Sequence, residues 1–257
     1  MKRRNFIGTA GLLGLVPAIK GIAAPSLTVK TGKEIYEWRI YTLNEGKAVA
    51  FDAFMGGTLI PAYNRLQITV GAFAPYKPSD KTQRFYLFKH PDLTAYHEAK
   101  ASIWQDKVFR EAAQPFYDET AVSPAYSVYD LYLCEAFDRV PRLIAPSDKH
   151  TVFEFRNYRS PNEEANQRKI DMFNVDEIPV FDATGISSVC YGEVLSGPRM
   201  PSLIYLTSYD NEPARDAAWG RFSAHPDWAR IRSLPQYAHT ATDNVNVLLS
   251  PLPYSGL

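Results

Sequence analysis

The chain repeats itself, and the repeat limits what it can fold into. "IYEWRIY" at 35–41 matches "VFEFRNY" at 152–158, an offset of 117 (152 − 35). "LIPAYN" at 59–64 is matched by "EIPVFD" at 177–182, an offset of 118 (177 − 59). "RFYLFKHPD" at 84–92 is echoed by "LIYLTSYDN" at 203–211, an offset of 119 (203 − 84). Three ordered matches whose offset drifts by one residue at each step are what short loop insertions leave between two copies of one unit. An element assigned in one half therefore needs a counterpart in the other.

Each half reads as strand, helix, two strands, helix, strand. In the first half a strand over 34–43 alternates with period 2. An amphipathic helix follows "NEGK", with Val49, Phe51, Phe54, Met55, Leu59 and Ile60 at its apolar positions. Strands run through "ITVGAFAPY" and "QRFYLFKH", a helix covers Leu93 to Gln114, and "SVYDLYLCEAF" closes the half. The second half gives strands at 151–159, 186–194, 202–209 and 244–250, and helices at 162–182 and 213–234. This is βαββαβ twice, the ferredoxin-like unit. One such unit leaves a face of its sheet bare. The expected fold is thus α+β, two tandem halves (34–137 and 150–252) packed sheet to sheet, joined by a linker at 138–149 that contains Pro141 and Pro146.

Lys plus Arg and Asp plus Glu both total 28, so the formal net charge is zero and no basic field exists to hold a nucleic-acid backbone. The 16 Tyr and 14 Phe suit sheets and apolar pockets alike. Cys134 and Cys190 are too few for a cysteine-rich zinc site; both lie in apolar strand-like runs and read as free buried thiols, with pairing as the alternative in an exported protein. Residues 1–25 read as an export signal. Lys2, Arg3 and Arg4 form a basic head, an apolar run reaches Ile19, and small residues offer cleavage near Ala24. Arg3-Arg4 followed by Asn5-Phe6-Ile7 is similar to a twin-arginine signal, which implies a periplasmic protein with no membrane span after cleavage. A Sec signal or an uncleaved anchor are the alternatives.

With the elements in this order, the chain resembles the NIPSNAP family of the dimeric α+β barrel superfamily. The resemblance rests on Glu37, Arg39 and Tyr41, repeated as Glu154, Arg156 and Tyr158, on "TLNEGKAVAFDAF", and on "HPDWARI" at 225–231. It covers roughly 34–250. The first half departs from the pattern, with "IWQDKVFRE" in place of the HPDW-like motif, which suggests a turn towards a structural role there. The superfamily includes cofactor-free monooxygenases, isomerases, haem-binding oxidoreductases and proteins without known catalysis. The resemblance therefore implies a fold and leaves the reaction open.

Period 2 puts Tyr36, Trp38 and Ile40 on one face of the first strand and Glu37, Arg39 and Tyr41 on the other. The apolar face is expected to pack on the helices of its own half. The polar face is expected to look across at Glu154, Arg156 and Tyr158, either lining a ligand cavity or pairing charges at the seam between sheets. No spacing argues for a metal site. His97, on a helix, and His239, in "YAHTATDN", are the candidate general bases or axial haem ligands, with a solvated histidine as the alternative. Asp52, Asp106, Asp118 and Glu119 look solvated. The function that emerges is binding of a small, partly apolar molecule, with cofactor-free monooxygenase-like or isomerase-like chemistry open. A non-catalytic interaction or oligomerisation module, built on strand edges and helix faces, is the alternative, and a haem-binding oxidoreductase is weaker.

Overall fold

The computed structural model describes residues 32–77 and 82–257; the export segment read at 1–25 lies outside the described residues. The first half contributes β1 (Ile35–Leu43), α1 (Ala48–Phe54), a π-helical turn (Met55–Leu59), α2 (Ile60–Arg65), β2 (Thr69–Pro75) and β3 (Gln83–His90). It continues with α3 (Leu93–Gln105), α4 (Lys107–Val122) and β4 (Tyr126–Ala136). The second half repeats the order with β5 (Val152–Arg159), α5 (Glu163–Met172), a π-helical turn (Phe173–Glu177), α6 (Ile178–Thr184), β6 (Ser187–Ser196) and β7 (Ser202–Tyr209). It ends with α7 (Glu212–Ala224), α8 (Pro226–Ile231) and β8 (Asp243–Pro251).

The eight strands close into one antiparallel barrel in the order β1-β3-β2-β8-β5-β7-β6-β4. Each half supplies four neighbouring strands, and the last strand of each pairs with the second strand of the other. The joints are Phe73↔Pro251 to Pro75↔Leu249 and Leu133↔Ser196 to Ala136↔Gly192. Closure leaves every strand with two neighbours, so the strand edges invoked for an interaction module are not available.

Closure also reverses the expected faces of β1. Tyr36 and Trp38 point into the barrel, in one core with Phe85, Leu87, Phe153 and Phe155. The Trp38 and Phe155 rings meet edge to face at 5.0 Å across the halves. Glu37, Arg39 and Tyr41 point outward, beneath α1–α4, where Tyr41 joins the core of its own half. The reason is solvation. An eight-stranded barrel is just wide enough to be filled by its side chains, and a Glu–Arg pair inside it would lose all water. Under the helices Arg39 keeps 12% of its side-chain surface exposed. Glu37 and Arg39 therefore do not pair with Glu154 and Arg156 at a sheet-to-sheet seam. Both cysteines are free and buried in the barrel core.

Both π-helical turns precede an Ile-Pro step, at Pro61 and Pro179, one residue into α2 and α6. A proline within a helix cannot donate to the carbonyl four residues earlier and its ring crowds that carbonyl, which a widened turn relieves. After its last strand each half crosses to the other. Phe137 packs on Phe173 and Tyr191 at 6.0 and 5.9 Å. Its counterpart Tyr254 (254 − 137 = 117) sits against Gly56 in the first π-helical turn, bonding Tyr86 and Asp52 at 3.0 and 2.9 Å. A Cβ on Gly56 would stand 2.8 Å from the Tyr254 ring, so the close approach needs glycine. Asp52, expected to be solvated, also takes a forked ion pair from Arg84 at 2.9 Å.

Candidate functional site

The outward face of β1 carries the polar floor of a cavity. Arg39 Nε donates to Glu37 Oε1 at 2.8 Å, and Arg39 Nη2 to the Tyr63 hydroxyl at 2.9 Å. The His90 ring nitrogen Nε2 lies 3.3 Å from Glu37 Oε2, and His90 Nδ1 is buried without a partner among the described residues. Burial would raise the pKa of Glu37. The adjacent Arg39 charge and the hydrogen bonds from His90 and Arg39 outweigh that and hold it at about 2. The Arg39 guanidinium rests on the Phe88 ring, 4.1 Å from its centroid.

Above this floor is a cavity of about 340 Å³, within the range of small-molecule sites. The helix that contains the π-helical turn supplies Phe51, Phe54, Met55 and Leu59; α3 supplies Lys100, Ile103 and Trp104. The wall is completed by Phe109, Phe116 and Tyr117 of α4 and by Tyr126 and Tyr129 of β4. The rings are ordered against one another. Phe54 and Phe116 stack at 4.0 Å with 3° between planes, and Tyr41 and Tyr129 stack at 4.8 Å. Burial pushes Tyr117 up to about 12, so its hydroxyl stays a neutral donor.

The second half builds the same floor and closes it. Glu154 accepts from Arg156 Nε at 2.9 Å, from Arg215 Nε and Nη2 at 3.0 and 2.6 Å, and from the Trp219 indole at 2.8 Å. The Arg156 guanidinium lies 3.8 Å from the Trp219 ring centroid. At an offset of 119, Lys100 corresponds to Trp219 and Phe88 to Thr207, so the ring against the arginine comes from the strand in one half and from the helix in the other. Where Met55 stands in the first half, the second has Phe173 (173 − 55 = 118), packed on Tyr158, Phe181 and Tyr205 at 6.4, 6.0 and 5.2 Å. A buried pair, Lys169 with Glu177 at 2.9 Å, fills the layer further.

The halves also differ at their last helix. Asp106 and His225 are counterparts (225 − 106 = 119), and each caps the helix that follows by accepting a backbone N–H, from Phe109 and Asp227 respectively. After the His225 cap α8 has 6 residues, whereas after Asp106 α4 has 16. The extra turns carry Phe116 and Tyr117. The "IWQDKVFRE" segment, read from sequence as a drift towards a structural role, supplies Ile103, Trp104 and Phe109 to the cavity wall.

A NIPSNAP family model matches residues 36–126 and again 153–256. The chain belongs to the NIPSNAP family. It does so as two tandem copies, one per half of the barrel. Among solved structures, this NIPSNAP chain is similar to a candidate monooxygenase from Fusobacterium nucleatum subsp. nucleatum, with 10% identity and a TM-score of 0.56 over 86% of this chain and 93% of that one. A candidate monooxygenase from Lactobacillus acidophilus aligns with 9% identity and a TM-score of 0.53, over 85% of this chain and 94% of that one. A NIPSNAP family protein of unknown function from Agrobacterium tumefaciens is 19% identical, covers 44% of this chain and 97% of its own, and gives a TM-score of 0.38. Curated protein sequences give no match. At such identities the two structures with TM-scores above 0.5 show the shared dimeric α+β barrel fold and no more.

Within the NIPSNAP chain, Glu37, Arg39 and Tyr41 line the cavity, and Glu154, Arg156 and Tyr158 form the filled counterpart. His97 and His239 are exposed and line no part of the cavity. From sequence, Trp104, Phe109, Phe116 and Tyr117 stand at helical spacing and read first as core packing, with an aromatic pocket as the alternative, and they line the cavity. Tyr63 and Lys100 were missed by sequence reasoning. The signal for them was available in the repeat itself, at positions where the two copies differ sharply in size or charge. No cluster of potential metal ligands is found among the described residues, and none of their helices is long and apolar enough to cross a membrane.

Proposed function

We propose that the first half is a receptor for one small, largely apolar and planar molecule, and that the second half is its scaffold. The observation that supports this is the contrast between copies: an open cavity walled by stacked rings in one, and the same layer packed with Phe173, Trp219 and Phe222 in the other. Arg39 and Tyr63 offer donors to a polar edge of the ligand. Glu37, with a pKa of about 2, is not a base at neutral pH. The site therefore suits binding, or cofactor-free chemistry on a ligand that arrives already ionised. Two fold relatives are candidate monooxygenases. In an oxygenation of that kind, a ligand carbanion that still bears one hydrogen on the reacting carbon reduces dioxygen: one oxygen atom becomes the carbonyl of the product, and the other leaves as water with that hydrogen and one proton from solvent. No histidine lines the cavity, so a haem there would have no histidine ligand from its walls.

Titration with the neutral fluorophore N-phenyl-1-naphthylamine tests the receptor reading. The expected result is saturable binding at one site per chain. Replacing Met55 and Ile103 by phenylalanine imports the rings of Phe173 and Phe222, and is expected to weaken binding at least about tenfold, as filling a pocket does, without lowering the melting temperature. Unchanged affinity in that variant refutes the reading. The twin-arginine-like segment supports export to the periplasm. Recovery of a chain beginning near residue 25 from the periplasmic fraction is expected, and an uncleaved cytoplasmic chain refutes it.

A further inference from the structure

The charges that line the first-half cavity do not cancel. Three of the lining residues are ionised: Glu37, Arg39 and Lys100. Arg39 and Glu37 are committed to each other at 2.8 Å, which leaves one positive charge over. Lys100 Nζ donates to the Tyr96 hydroxyl at 3.3 Å and has no carboxylate partner among the described residues. The Tyr96 phenol accepts from one of the three ammonium donors and the Tyr96 ring lies 5.3 Å from Nζ, a cation–π contact that still leaves the charge without an anion. Lys100 is exposed, yet it borders an apolar wall. Within one helical turn of it on α3 lie Ile103 and Trp104, which face the same cavity.

The duplicated unit supplies an independent observation. At the position of Lys100 the second half has Trp219, whose indole is closed into the layer between Arg156 and Phe181, 5.5 Å from the latter ring. The unmatched cation belongs to the copy with the cavity and is replaced by a ring in the copy that is packed. A lysine kept solely for solubility has no reason to follow the cavity in this way.

We infer that the ligand of the first-half cavity is an aromatic monoanion, a flat apolar body bearing one acidic oxygen group, with the acid at Lys100 and the body between Phe54, Phe116 and Tyr117. This rests on the cavity being the binding site. The body takes the apolar wall, and the acid restores neutrality at Lys100, an exposed residue whose flexible side chain can follow it.

Two fluorophores that differ in one group test this: 1-anilinonaphthalene-8-sulfonate and N-phenyl-1-naphthylamine, the same scaffold without the sulfonate. The full chain is expected to bind the sulfonate about tenfold more tightly, as a charge-assisted hydrogen bond allows. Lys100→Met should bring the sulfonate to the affinity of the neutral probe while leaving the neutral probe within about twofold, and Lys100→Arg should retain most of the preference. Equal affinities for the two probes in the unmodified chain overturn the inference and leave the receptor reading standing. A preference that survives Lys100→Met also overturns it, placing the anion elsewhere. If neither probe binds saturably, the receptor reading falls and this inference with it.

Discussion

Replacing Glu37 by glutamine should make the stability of the protein less dependent on pH, in a window that the structure defines. The carboxylate is fully buried, ion-paired with Arg39, and held at about 2 rather than its ordinary 4.5. Because the folded pKa is depressed, the unfolded chain takes up a proton first as pH falls. The stabilisation is complete above the unfolded value and drains away below it. A depression of this size corresponds to about 3 kcal/mol at neutral pH, of which roughly half remains at pH 3. At pH 7 the glutamine variant leaves the Arg39 charge without its partner, for an expected loss of about 3–5 kcal/mol. Urea denaturation followed by circular dichroism at pH 7, 5, 4 and 3, on both proteins, isolates this group from all other carboxylates. The gap between wild type and variant should hold from pH 7 to 5 and narrow by about 2 kcal/mol by pH 3. A gap that does not change with pH would refute the assignment of Glu37 as the anion of this pair.

Three further outcomes are expected. Gly56→Ala should cost about 1–3 kcal/mol through the clash with Tyr254, and much of that loss should vanish on a Tyr254→Ala background; independent losses in the double-mutant cycle would deny the contact. Lys169→Met alone should destabilise by about 3–5 kcal/mol in urea titrations, whereas Lys169→Met with Glu177→Leu should be neutral or more stable than the parent, since an apolar pair avoids the desolvation of two ions. Trp219→Ala should lose about 3–5 kcal/mol of stability, because it empties a packed layer. Its affinity for the neutral fluorophore should stay within about twofold of the parent's at temperatures where both are folded; a large loss would show that the second half takes part in binding.

Much of the fold could be read from the chain because its signals were local and stated twice. Period 2 at 35–41 and 152–158 marks strands wherever they pack, and the repeat put the helices in order. The direction in which Glu37 and Arg39 point could not be read in that way. Alternation says that Tyr36 and Glu37 face oppositely and is silent on which face turns inward, and that depends on whether the sheets stack as slabs or close as a barrel. Closure rests on pairings such as Ala74↔Ser250, between residues 176 positions apart (250 − 74). The site was harder still. His97 and His239 drew attention as titratable side chains, yet what makes the cavity is the length of α4 and the absence of a ring at position 100. Absence has no motif. It becomes visible only when one copy is laid on the other, residue by residue.

Each of the two strand joints of the barrel, β2 with β8 and β4 with β6, unites one half with the other, as a pair of identical subunits would be united. In such a pair every substitution is made twice, and a lysine placed beside one cavity is also placed where the other subunit needs a ring. Joining the copies end to end removes that constraint. Lys100 and Trp219 can then occupy equivalent places with opposite consequences, and the stability lost by hollowing one copy can be recovered by filling the other. The chain is a pseudo-symmetric body whose two copies have diverged in opposite directions, and on the receptor reading proposed above the expected stoichiometry is one ligand for two copies of the fold.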